Sequence, residues 1–205
     1  TNKGELVIKD ILTHQARLNG WIPFYYSTLK TLYPDQDLLD NNFSEEYPYK
    51  LGNHSYMAKN FVYKDDIYSY YPKEGYNTKI ADDFYILDSY RDSIYDKIRE
   101  SNLLETKSYR YSDLGYYYFY KIIENTTKAK FQDYVDSTYY QEMGAYRTTY
   151  LPLNKFDKSE IVPTENDQIF RKQLLHGYVH DPGAAMLGGV CGHAGIFSTA
   201  NDLAK

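Results

Sequence analysis

The sequence predicts a mainly α-helical chain with one small β-containing excursion, from three observations. Apolar residues recur at helical spacing in several segments on both sides of residues 41–88. Inside 41–88 that period is lost, and Pro48, Gly52, Pro72 and Gly75 punctuate runs rich in aromatic and β-branched residues. Near the end, residues 183–195 hold five of the chain's twelve glycines, a composition that lets backbones approach closely or bend sharply.

Taken in order, residues 5–18 place Ile8, Ile11, Leu12 and Gln15 on one helical face, with a loop expected near Asn19-Gly20. Phe24 to Leu32 resumes helical spacing and stops before Pro34, whose ring disfavours helix in the residue before it. Met57 to Tyr63 and Lys79 to Leu87 read as short strands in a hairpin-like insertion spanning 41–88. Helices follow at about Ser89 to Ser101, with Tyr90, Ile94, Tyr95 and Ile98 inward, and at about Ser112 to Thr126. A shorter one covers about Phe131 to Gln141, and Gly144 ends it. Residues 150–165 read as extended loop, and Asn166 to Leu175 as a further turn or two of helix. Thr199-Ala200-Asn201-Asp202 nucleates a last helix three residues before Lys205, so we expect the chain to be a fragment of a longer domain.

With 205 residues the chain is long enough to bury a real core. Its 23 basic and 28 acidic residues give a net charge of −5 with no long run of either sign, which argues against a nucleic-acid partner. No stretch reaches the roughly 20 apolar residues of a membrane span. The single cysteine, Cys191, excludes an internal disulfide. Tyrosine is the unusual residue, with seventeen of 26 between positions 41 and 120. A ring that packs while its hydroxyl stays wet suits grooves for glycan or peptide, although lineage composition accounts for the same bias.

Three groups of residues carry candidate chemistry. Ser112 reads as the N-cap of a helix whose apolar positions are Leu114, Tyr118, Phe119, Ile122 and Ile123. Tyr111 would then stand at a helix N-terminus, where partial positive charge favours a phenolate and hence a tyrosine base. The same Tyr111 also reads as one more structural aromatic beside a cap. His176, His180, Asp181, Cys191 and His193 form a second group with metal-ligating side chains, but Asp181-Pro182-Gly183 interrupts any helix that would align them. Ser27-Thr28-Leu29-Lys30 is the third, a Ser-x-x-Lys that on a helix would set a hydroxyl one turn from an amine.

Several stretches together resemble one family. Ile8-Lys9-Asp10-Ile11-Leu12-Thr13-His14-Gln15 is similar to the "LLTH" helix of the β-lactamase-related serine hydrolases, the class C β-lactamase and DD-peptidase relatives. Tyr111-Ser112-Asp113-Leu114-Gly115 resembles their Tyr-x-Asn motif, and Phe131 to Met143 before Gly144 their helix ending in "PLGM". His176 to Asp202, with Gly-Gly-Val-Cys-Gly-His-Ala-Gly-Ile-Phe-Ser-Thr-Ala-Asn-Asp-Leu from Gly188 onward, is similar to their "GGvaGHAGLFSTadDLa" segment. The four stretches come in the family's order.

That resemblance implies the helical lobe of a β-lactamase/transpeptidase-like α+β fold and acyl transfer through a covalent acyl-enzyme. It makes Tyr111 a proton relay and Asp113 its motif partner, where the family usually has Asn. Ionised Asp accepts hydrogen bonds but donates none, so amide recognition changes, and Asp113 is suited to hold a lysine ammonium. The family's Ser-x-x-Lys precedes the "LLTH" helix, which rules out Ser27 as that nucleophile. The third motif, a Lys- or His-x-Gly, is expected beyond Lys205. The resemblance further implies an extracytoplasmic setting, a small-molecule or peptidoglycan-like substrate, no cofactor and no metal. On its own, the chain is expected to be inactive. A non-catalytic glycan- or peptide-binding module built on the tyrosine-rich insertion is the alternative.

Overall fold

The computed structural model describes residues 1–205. Helices make up 28% of it and strands 18%, which corrects the expectation of a mainly α-helical lobe. Six α-helices are present: α1 (Ile8–Leu12), α2 (Tyr90–Glu100), α3 (Tyr116–Thr127), α4 (Phe131–Val135), α5 (Pro182–Met186) and α6 (Ala200–Leu203). The strands form five small antiparallel sheets. Strand β1 (Leu29–Thr31) pairs with β5 (Phe61–Tyr63), and β2 (Leu39–Asp40), β4 (Ser55–Met57) and β3 (Tyr49–Gly52) lie side by side in that order. Strands β6 (Tyr68–Ser69), β8 (Phe84–Ile86) and β7 (Thr78–Ala81) form a second three-stranded sheet. Strand β9 (Thr149–Tyr150) pairs with β12 (Ile196–Phe197), and β10 (Glu165–Asp167) with β11 (Gln173–Leu175).

Strands of two to four residues are too short to print an alternating pattern on the sequence, and that is why the sheets were underestimated. Two expected helices are replaced outright. Phe24–Thr28 is a 3-10 turn that runs directly into β1, so the spacing read through Leu32 spans two elements. Residues 166–175 lie in the β10–β11 hairpin. Its bend is held by Asp167, whose carboxylate accepts the backbone N–H groups of Ile169, Phe170 and Arg171. The Arg171 side chain, 0% exposed, returns Nε to Asp167 at 2.9 Å and donates to the carbonyls of Val179 and His180.

Helix α2 buries Ile94, Tyr95 and Ile98, the inward face expected for it, at about 1.5–3 kcal/mol per apolar side chain. Helix α3 keeps part of the face hydropathy selects, with Tyr118 and Ile123 packed against the core and Leu114 buried just ahead of it, but its most buried side chains are others. Tyr117 and Tyr120 are its buried positions, and Ile122 is 46% exposed. The reason is the partner helix. Tyr95 Oη donates to Tyr120 Oη at 2.9 Å and Tyr118 Oη to the Tyr95 carbonyl at 3.0 Å, so α2 and α3 join through one phenol pair and one phenol-to-backbone bond. Tyrosine rings there do the packing that isoleucine was expected to do. At the far end of α3, Glu124 accepts the Phe131 N–H at 2.9 Å and so fixes the start of α4.

Residues 41–88 divide into two parts. Positions 41–55 are exposed or half-exposed. From β7 onward Ile80, Ala81, Phe84 and Ile86 are buried and join the same apolar cluster as Ile94, Tyr117 and Phe170.

Candidate active site

Two segments about a hundred residues apart meet to make the Tyr111 turn. Helix α1 lasts only five residues, shorter than the expected 5–18, because His14 and Arg17 both take positive φ, 57° and 61°. This bent strip lies along residues 102–116. Arg110 N–H donates to the His14 carbonyl at 2.8 Å, Leu104 N–H to Arg17 at 2.8 Å and Asp113 N–H to Gly20 at 3.1 Å. Gly115 lets the two segments touch, since a Cβ there would lie 2.1 Å from Ile11 Cγ2.

His14 is the centre of this junction. Its ring lies 4.6 Å from that of Tyr111, 5.6 Å from Tyr116 and 5.9 Å from Tyr109, centroid to centroid. Ser112 N–H donates to His14 Nδ1 at 3.2 Å, which assigns the remaining ring proton to Nε2. Ser112 Oγ donates to the Asn19 carbonyl at 2.6 Å and accepts from Leu114 N–H at 3.3 Å. The LLTH-like and Tyr-x-Asp stretches are thus one structural unit.

The helix does not begin at Ser112. It begins at Tyr116, and its N-cap position is Gly115, with no side-chain cap. Tyr111 stands five residues ahead, beyond the first turn over which the helix dipole acts. The charge of Asp113 is the main influence on the phenol and raises its pKa above the ordinary tyrosine value. Tyr111 is therefore held protonated here, with 60% of its surface exposed.

Beneath α3 lies a buried polar chain. His193 Nε2 is 3.0 Å from Asp181 Oδ1, and His193 Nδ1 is 3.1 Å from Cys191 Sγ. Burial opposes charge on His193, but the bonds to Asp181 and Cys191 outweigh it and raise the imidazole pKa to about 10. Asp181 is lowered for the matching reason, burial being overcome by His193, and it also caps α5 through Ala184 N–H at 2.6 Å. The Tyr117 ring stacks on His193 at 4.2 Å. Its hydroxyl is buried without a partner, and burial pushes its pKa up. The glycines are needed at close range: a Cβ on Gly192 would lie 2.5 Å from the Tyr116 carbonyl oxygen.

The structure does not gather the five residues weighed as metal ligands. His176 bonds the Ile161 carbonyl, and His180 pairs with Glu165 at 3.0 Å on the surface. Asp181, His193 and Cys191 do meet, but as a linear chain in which both imidazole nitrogens are already engaged. The sequence flagged these residues without indicating that geometry, and Tyr117 was missed because nothing local marks an unpartnered phenol.

Ser27 and Lys30 do not form a helical dyad either. Lys30 lies on β1 and pairs with Asp65 at 2.6 Å. Ser27 Oγ donates to the Phe24 carbonyl at 2.7 Å, lies 2.8 Å from Tyr90 Oη and accepts from Lys97. Its hydrogen-bonding capacity is used within the fold.

The chain is 37% identical, over an alignment of 106 residues, to proteins of Salmonella paratyphi B, Salmonella newport and Salmonella heidelberg, each named "Putative D-alanyl-D-alanine carboxypeptidase". A DD-peptidase-related kinship follows at that level. The alignment covers 46% of this chain and 24% of those relatives, so it matches about a quarter of their length. No family profile and no solved structure matches the chain.

Proposed function

We propose that residues 1–205 belong to a serine hydrolase of the DD-peptidase and β-lactamase-related kind, working by acyl transfer, with Tyr111 as proton relay and Asp113 as its charged neighbour. The observation that carries the reading is the junction of the two motif-like strips, which presents Tyr111 as an exposed phenol on a turn braced by His14, with Tyr109 exposed beside it. The similarity to proteins named as carboxypeptidases supports the same chemistry.

In this reading a serine hydroxyl from the nucleophile's Ser-x-x-Lys motif attacks a carbonyl and forms an acyl-enzyme, which water then releases. Tyr111 passes the proton between nucleophile and leaving group. Asp113 raises the Tyr111 pKa, so the phenol acts as a base only when a cation offsets that charge. The motif's lysine ammonium is the natural candidate, held by Asp113. The substrates are peptides ending in D-alanine or related esters, and the setting is the cell envelope.

In a protein that carries this chain together with the nucleophile motif, Tyr111→Phe should slow acylation by ~10²-fold or more while leaving the melting temperature unchanged. Near-normal acylation would remove Tyr111 from the mechanism. Residues 1–205 alone should remain unlabelled by a fluorescent penicillin or a fluorophosphonate, and labelling at Ser27 would overturn the assignment.

A further inference from the structure

A cavity of about 730 Å³ is lined by none of the residues of the Tyr111 turn. Its floor is apolar, with Ile80, Ala185 and Leu187 all buried. Three cations reach it from separate elements: Lys79 from β7, Arg91 from the first turn of α2, and Lys130 just ahead of α4. Glu124 is the one carboxylate in the lining, and it is engaged with the Phe131 N–H.

Arg91 and Lys130 have no carboxylate within ion-pair distance, although twelve such pairs form elsewhere in the chain. The Arg91 side chain makes a single long contact, 3.5 Å, to the Leu187 carbonyl. Most surface cations are simply solvated. These two differ because they share the wall of a concave space with the apolar Ile80, Ala185 and Leu187, where three cations outnumber the one carboxylate and concentrate the field.

We propose that this cavity binds a small amphipathic anion. A carboxylate or phosphate head sits between Arg91 and Lys130, and a short apolar tail lies on the floor made by Ile80 and Leu187. The volume suits a ligand of that size, and a guanidinium offers paired N–H donors to a planar carboxylate or to phosphate. The site does not depend on Tyr111 being a proton relay.

The test is an amide-shift titration of the chain by NMR with four probes: hexanoate, hexyl phosphate, hexanol and inorganic phosphate. Hexanoate, hexyl phosphate or both should saturate, moving the Gly188 and Gly189 amides that line the cavity. The stronger of the two identifies the head group. Arg91→Gln and Lys130→Gln should each weaken that probe about fivefold or more, with shifts elsewhere in the spectrum preserved. Arg91 and Lys130 are both exposed, so neither variant disturbs the core, and each tests the site independently. Hexanol binding as tightly as both anions, a loss smaller than fivefold in Lys130→Gln, or no saturable shift with either amphipathic anion would each overturn the proposal.

Discussion

Removing His193 should cost stability in a manner that depends on pH, and the structure sets both size and sign. The imidazole rises from an ordinary 6.5 to about 10 on folding, a differential worth about 5 kcal/mol at most, since one pKa unit corresponds to ~1.4 kcal/mol. Removing one partner of a buried pair independently gives ~3–5 kcal/mol, because Asp181 would keep its charge without compensation. A raised pKa means that the folded chain holds this proton more tightly than the unfolded one. The contribution is therefore complete below about pH 6.5 and disappears as the pH climbs through about 10. On the acid side Asp181, whose pKa is lowered, removes the same pair once it is protonated. Urea unfolding of the parent chain and of His193→Gln, measured in steps from pH 6 to above 10, isolates this term by difference. Tyrosines titrating near the upper end are common to both proteins and cancel. We expect a gap of ~3–5 kcal/mol near neutrality that narrows as the pH approaches 10. A gap independent of pH, or one that widens in alkali, would refute the ion-pair account.

Other perturbations follow from the same region and from the β10–β11 hairpin. Tyr117→Phe removes a buried hydroxyl that has no partner, so it should be neutral or stabilising by ~1 kcal/mol in thermal unfolding. Gly183→Ala sets a Cβ 1.8 Å from Tyr117 Oη and should cost ~1–3 kcal/mol, part of which the Tyr117→Phe background should recover. Arg171→Met leaves Asp167 buried without its ion pair, and a loss of ~3–5 kcal/mol is expected by denaturant titration.

What could be read from the sequence was governed by the range over which each signal acts. Helix α2 was legible because eleven residues repeat one periodicity and nothing outside contradicts it. The face of α3 was legible only in part, since hydropathy ranks isoleucine above tyrosine and cannot see Tyr95 of α2 waiting opposite. The β10–β11 turn depends on a side chain, Asp167, that collects three backbone donors, a local device that the helical spacing of its neighbours concealed. At the candidate site, motif order marked Tyr111 and Asp113 without geometry. The contact between His14 and Tyr111 spans nearly the first half of the chain and leaves no local periodicity. The same holds for Asp181, His193 and Cys191, which were legible as reactive residue types but not as a linear chain.

The outer arm of the excursion has a consequence for how this chain can change. Asp40 and Tyr56 are cross-strand partners, so residues 41–55 depart from and rejoin the sheet at one place. None of them is buried, whereas Met57 and Ala58 immediately beyond are fully enclosed. A two-residue turn of the Asn-Gly kind would span the same gap at a change in closure term of only about 1–2 kcal/mol, but it would remove β3 and its pairing along β4. The constraint the fold places on this arm is concentrated in β3, which pairs along β4, and in Tyr49 and Leu51, which pack against the core. Composition is therefore freest to drift at positions 41–48, ahead of β3, where no residue is buried, while the three-stranded sheet and the core beneath it stay unchanged.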